Sequence, residues 1–145
     1  MRILPPVALL VSILVQVAGI ASLWPITPSG YELAVGAVCA ITGLILAPWG
    51  ANLFTRVGTG LVPFTPATKL VVTGPFRLTR NPMYVGFILF SAGVAIASGV
   101  HVNLISPLLL AIWLHYSYVL PEERFMRERF GADYDEYCRK IPRWL

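Results

Sequence analysis

Two short stretches hold side chains able to do chemistry together. Arg80-Asn81-Pro82-Met83-Tyr84-Val85-Gly86 sets a guanidinium and an amide just before a proline, and Pro121-Glu122-Glu123 sets two carboxylates just after one. Proline is favoured at the first helical position, where its missing N–H costs nothing, so both stretches read as helix starts. A helix N-terminus carries unpaired amides and a positive dipole that favour anionic groups. The first stretch therefore suits an anion, while the second supplies acceptors for cations and hydroxyls. Capping alone accounts for the same residues, with Asn81 as N-cap, Gly86 as a close-packing point, Arg80 as an interfacial anchor and the two glutamates as favourable charges on a dipole.

Other reactive groups are few. His115 stands two helical turns before Glu122 and is the only ionisable side chain well inside an apolar run, either as a group approaching the glutamates or as an ordinary buried histidine. Cys39 lies in an apolar run and Cys138 in a polar one. Neither forms a CxxC or Cys/His pattern, so no disulfide and no metal site is indicated.

The elements that position these residues follow from composition. The chain has 145 residues, 57% of them hydrophobic and 12% charged, with a mean hydropathy of +0.72. An average soluble protein carries about 25% charged residues, so this is a membrane protein. A spanning helix needs about 20 mainly apolar residues. Four stretches qualify, at about 3–24, 31–54, 83–100 and 102–120, leaving a loop at 55–82 and a tail at 121–145. The predicted fold is a single integral-membrane domain, all-α and polytopic, with four transmembrane helices and a cytoplasmic C-terminal amphipathic segment. Pro48 and Pro107 are expected to bend their helices. The first span is too long for a signal peptide and has no clear cleavage site before a soluble domain.

Charge is concentrated. Of eighteen charged residues, twelve lie between Glu122 and Leu145 and four are Arg56, Lys69, Arg77 and Arg80, leaving only Arg2 and Glu32 elsewhere. The tail has six acids and six bases, so the four central cations account for the net +4. With four spans, all eleven Lys and Arg residues share one face, which the positive-inside rule makes cytoplasmic. The expected location is the plasma (inner) membrane with both termini inside. Span centres free of Asp, Glu, Lys and Arg, and the lack of an internal repeat, argue against a pore or transporter. Nothing points to a nucleic-acid partner.

The loop carries turn signals at Gly58, Gly60, Pro63, Pro66, Gly74 and Pro75. It is longer than the 12–15 residues usual for an unstructured connection, which favours an ordered, functional segment. In the tail, Met126, Phe130, Tyr134, Tyr137 or Cys138, and Ile141 recur at helical spacing, interrupted near Gly131. A charge-balanced tail gains little from anionic lipid, so it is expected to fold over the loop.

Taken in order, Leu70-Val71-Val72-Thr73-Gly74-Pro75-Phe76-Arg77-Leu78-Thr79, the Arg80–Gly86 stretch, Glu122-Glu123, Phe130-Gly131, Tyr134, Tyr137 and Pro142 resemble the isoprenylcysteine carboxyl methyltransferase family. Its relatives, the integral-membrane phospholipid N-methyltransferases and small-thiol S-methyltransferases, share the pattern. The resemblance covers about 58–145. It implies methyl transfer from S-adenosylmethionine, held at the cytoplasmic face, to a lipophilic or small thiol, carboxylate or amine acceptor reaching the site from the bilayer. By this resemblance Val71, Gly74, Arg80, Asn81, Pro82, Tyr84, Gly86, Leu120, Glu122 and Glu123 bind the cofactor, and Arg80 and Asn81 act in catalysis. The family's usual Arg-His-Pro is here Arg80-Asn81-Pro82, and Asn hydrogen-bonds but does not titrate. No dedicated base is evident for a thiol or amine acceptor. Two alternatives stay open: an NADPH-dependent enzyme resembling sterol reductases, which share an Arg-His-Pro-Asn-Tyr segment, and a non-catalytic membrane scaffold of the same fold. The small residues Gly36, Ala40 and Gly43 allow close helix contact within or between monomers.

Overall fold

The computed structural model describes residues 4–23, 26–56 and 70–145. Most of the expected loop, including Gly58, Gly60, Pro63, Pro66 and Lys69, lies outside the described residues. Among the described residues, six α-helices run in the order α1 (Pro5–Ser22), α2 (Gly30–Arg56), α3 (Pro82–Ala97), α4 (Ile105–Leu114), α5 (Leu120–Phe130) and α6 (Ala132–Lys140). Short 3-10 turns occupy Gly74–Arg77 and His101–Leu104, and a π turn occupies His115–Val119. No strand occurs among the described residues.

Helix ends follow local chemistry. Pro5 and Pro6 open α1, where no amide bond is owed. Ser29 and Glu32 form a reciprocal capping box on α2, with Ser29 N donating to Glu32 Oε2 (2.7 Å) and Glu32 N to Ser29 Oγ (3.2 Å). Pro48 sits inside α2. Pro107, expected to bend a span, falls instead in the first turn of α4, where its missing donor costs little.

Pro5–Ser22, Gly30–Leu53 and the continuous stretch His101–Phe130 are long and apolar enough to cross a membrane. The fourth expected span, α3, is apolar but has 16 residues. At 1.5 Å per residue it covers about 24 Å, less than the roughly 30 Å of hydrocarbon.

Pro121 does not begin a helix as expected. Val119 before it has helical angles (φ −59°, ψ −51°), and the helical path continues from α4 through the π turn into α5. Proline in a helix interior lacks the i→i−4 donor and its ring clashes with the carbonyl four residues back. The π turn absorbs this by widening the helix, Leu120 N donating to His115 O five residues back. Glu122 and Glu123 therefore follow a continuous helix rather than capping a free end, and a dipole at an open N-terminus no longer accounts for them.

Two compact units divide the chain: residues 1–45 with 86–112, and 46–85 with 113–145. In the first, α2 and α3 meet through small residues. A Cβ on Gly36 would come within 2.6 Å of Gly93 O and Ala97 N, and one on Gly43 would collide with Gly86 O and lie 2.5 Å from Phe90 N. Backbones approach this closely only where side chains are absent. The stripe of Gly36, Ala40 and Gly43 thus pairs with α3 of the same chain. Helix α1 is fixed in that unit by polar groups: Ser12 Oγ bonds Ser91 Oγ and Ser106 Oγ (both 2.7 Å), and Gln16 Nε2 donates to Ser91 Oγ (2.8 Å). Asn103 Nδ2 donates to Gln16 O (3.2 Å).

In the second unit, Gly74 adopts φ +59°, a region that favours glycine, and a Cβ there would meet Leu53 Cδ1 at 2.7 Å. Gly131 (φ +52°) separates α5 from α6, as its place in the tail predicted. The tail folds back on residues 76–81: Tyr137 Oη donates to Phe76 O (2.7 Å) and Arg80 N to Pro142 O (3.0 Å).

Candidate functional site

The second unit gathers most of the residues singled out by sequence. Arg80 comes from the turn before α3, Tyr84 from the first turn of α3, Glu122 and Glu123 from α5, and Arg143 from the extended segment after α6.

The two adjacent glutamates have different surroundings. Glu123 is buried and faces two arginines. Arg143 grips it with a fork, Nε to Oε1 and Nη2 to Oε2, both 2.8 Å. Arg80 Nη1 makes an ion pair with Oε1 at 2.9 Å, while its aligned hydrogen bond goes to Cys138 Sγ (2.8 Å). Arg80 is itself 89% buried at the side chain, and its Nε has no partner among the described residues. Glu122, in contrast, has no cation beside it among the described residues: Oε1 accepts a 2.6 Å hydrogen bond from Tyr84 Oη. The Tyr84 ring lies 6.2 Å from Tyr118, which lies 5.5 Å from Trp113.

Residues 142–144 form a strap across the Arg80 turn. Arg143 O accepts from Thr79 Oγ1 (2.9 Å) and Asn81 Nδ2 (3.0 Å), and the Trp144 ring lies 6.0 Å from His115. Asn81 is the N-cap by backbone, its carbonyl accepting from Val85 N (3.0 Å). Its side-chain amide serves the strap instead of capping α3. His115 Nδ1 is buried without a partner among the described residues. Behind the strap, burial raises the phenols of Tyr134 and Tyr137 above their ordinary range, Tyr137 to about 12, so both remain neutral, Tyr137 donating to Phe76 O and Tyr134 lying against the Arg80 guanidinium. The Glu123 fork pushes Arg143 further up.

Of the sequence candidates, Val71, Gly74, Arg80, Asn81, Pro82, Tyr84, Leu120, Glu122 and Glu123 all fall in this unit. Val71 and Pro82 are buried, and Leu120 is half-buried. Gly86 falls in the other unit, where its carbonyl faces Gly43. Sequence reasoning missed Arg143, Thr79 and Trp144. The signal nearest to Arg143 was the charge balance of the tail, which pointed to its folding over the loop. Among the described residues no group of acids, histidines and cysteines is arranged to hold a metal.

Comparison with known proteins matches residues 31–133 to the family described as phospholipid methyltransferase. A probable protein-S-isoprenylcysteine O-methyltransferase of Oryza sativa subsp. indica is 32% identical over 115 residues, covering 74% of this chain and 57% of the relative. Protein-S-isoprenylcysteine O-methyltransferase B of Arabidopsis thaliana is 28% identical over 140 residues, covering 93% and 70%. That of Schizosaccharomyces pombe is 34% identical over 76 residues, covering 50% and 31%. The chain thus spans little more than half the length of the rice relative. No solved structure matches it significantly. Family match and relatives agree with the motif order in the sequence, and the chain belongs to the phospholipid methyltransferase family.

Proposed function

We propose that the protein is an integral-membrane methyltransferase using S-adenosylmethionine, with an isoprenylcysteine-like lipophilic acceptor or a small thiol, carboxylate or amine. The reading places four spans in the inner membrane and the charged segments at its cytoplasmic face, following the one-sided distribution of Lys and Arg. On this reading α3 spans with help from flanking residues or local thinning of the bilayer. The names of the relatives favour methyl transfer over the reductase and scaffold alternatives.

The observation that carries the proposal is the unequal state of the charged groups. Among the described residues, Arg80 Nε is a buried donor without an acceptor, and Glu122 is a carboxylate without a cation. Asn81 Oδ1 and Glu122 Oε2 likewise have no protein partner among them. A zwitterion with an added positive charge fits this set: a carboxylate for Arg80, a cation for Glu122 and hydroxyls for Asn81. Val71, Tyr84 and Leu120 provide apolar contact, and Gly74 and Pro82 shape the adjoining backbone. Glu123, saturated by two arginines, contributes by holding them. The cofactor supplies an activated methyl group; the protein supplies alignment and exclusion of water, the main demands of an in-line displacement. Arg80 and Asn81 orient the reacting groups.

Detergent-purified protein should bind S-adenosylmethionine in isothermal titration, and Arg80→Ala and Glu122→Gln should each weaken binding about tenfold or more, the effect of about 1.4 kcal/mol. Absence of binding by well-folded wild type overturns the proposal. Binding of NADPH in its place would favour the reductase alternative.

A further inference from the structure

We propose that Arg143 is a positioning residue that keeps Arg80 available for an anionic ligand by occupying Glu123. The inference rests on the cofactor reading above and assigns a task to a residue outside its motifs. Three charged side chains share one site, two cations and one anion, so one positive charge is left over. Which arginine carries that excess depends on hydrogen-bond geometry. A carboxylate is best satisfied by a planar fork donating to both oxygens. Arg143 takes that arrangement at 2.8 Å on each side. Arg80 is left with an off-line ion pair at 2.9 Å, a hydrogen bond to Cys138, a side-chain interaction with the Tyr134 phenol and an unpartnered Nε.

The exposures sharpen the assignment. Arg143 is 36% exposed and Arg80 11% exposed at the side chain. The more solvated cation neutralises the acid, and the more buried one retains an unmet donor. A buried unmet donor is costly unless a ligand supplies its acceptor. Without the Arg143 fork, Glu123 Oε1 and Oε2 turn to Arg80 and close a second fork, quenching the group proposed to receive the ligand carboxylate. The main chain of Arg143 sets the register of this arrangement, because its carbonyl is held by Thr79 Oγ1 and Asn81 Nδ2 on both sides of Arg80.

Titration of purified protein with S-adenosylmethionine and with its decarboxylated analogue, which lacks only the carboxylate, tests the proposal. Arg143→Gln should weaken S-adenosylmethionine about tenfold and leave the analogue within twofold of wild type. Adding Glu123→Gln to Arg143→Gln should restore most of the affinity, since the carboxylate that would capture Arg80 is gone. Arg143→Lys, which keeps the charge and the strap but not the fork, should give an intermediate loss and serves if Arg143→Gln does not fold. Equal weakening of both ligands, failure of the second substitution to rescue, or wild-type affinity in Arg143→Lys would each overturn the inference. Failure of wild type to bind either ligand would overturn the cofactor reading and this inference with it.

Discussion

Glu122 and Glu123 are chemically identical neighbours, and their surroundings give them different work. Glu123 is a buried counter-ion for two arginines, so its neutralisation leaves both without a full charge partner. Breaking a buried pair costs about 3–5 kcal/mol. The 36% exposure of Arg143 reduces that, and Glu123→Gln is expected to destabilise the protein by about 2–3 kcal/mol. Glu122→Gln keeps an acceptor for Tyr84 and should leave thermal unfolding nearly unchanged while weakening cofactor binding. Parallel melting curves and titrations of the two variants check this division. The sequence singled out both acids, with Arg80 and Tyr84, because their types and spacing are local. It could not rank them, since the ranking depends on Arg143, twenty residues from Glu123 and joined to it only by the fold.

At the level of elements, the long apolar runs announced themselves. Helices α1 and α2 agree with the predicted spans over the described residues, and Gly131 breaks the tail where expected. Two boundaries were not legible. The run 83–100 yields only Pro82–Ala97 as helix, because Gly99 takes φ +68° and turns the chain. Pro121 read as a start signal, but a proline two residues beyond the end of a π turn is accommodated within a helix. The contact of α2 with α3 also has a sharp requirement. Side chains at Gly43 meet backbone atoms, which cannot rotate away. Gly43→Leu should cost about 3 kcal/mol or more, the upper end of overpacking, whereas Gly30→Ala, with nothing within 4 Å of its new Cβ, should be neutral. Unfolding followed by circular dichroism in detergent distinguishes the two.

Over the whole molecule, the charge map read from sequence coincides with the structural partition. Among the described residues, fifteen of the sixteen charged side chains belong to the unit of residues 46–85 and 113–145; the other unit holds Glu32, paired with His101, and joins its helices through small residues and a few hydroxyls and amides. A bilayer favours such a separation, since uncharged hydrogen bonds are less costly than charges within hydrocarbon. The proposed orientation makes a direct prediction. In a bacterial host, alkaline phosphatase joined after His101 should be active, and the same reporter after Leu145 should be inactive; the reverse pattern would invert the topology.

The π turn carries a consequence for how this chain tolerates length changes. Successive helical residues point about 100° apart, and a π turn inserts one residue beyond the α-helical count. The extra residue is absorbed within the widened turn, so the residues of α5 keep the facing of an unbroken α-helix. Shortening His115–Val119 by one residue would return the stretch to the α-helical count and leave Glu123 before Arg80 and Arg143. The cost would fall on Pro121 instead, whose ring would meet the carbonyl four residues back once the wide turn is gone. A one-residue deletion there would spare the register of the site and strain the helix that carries it.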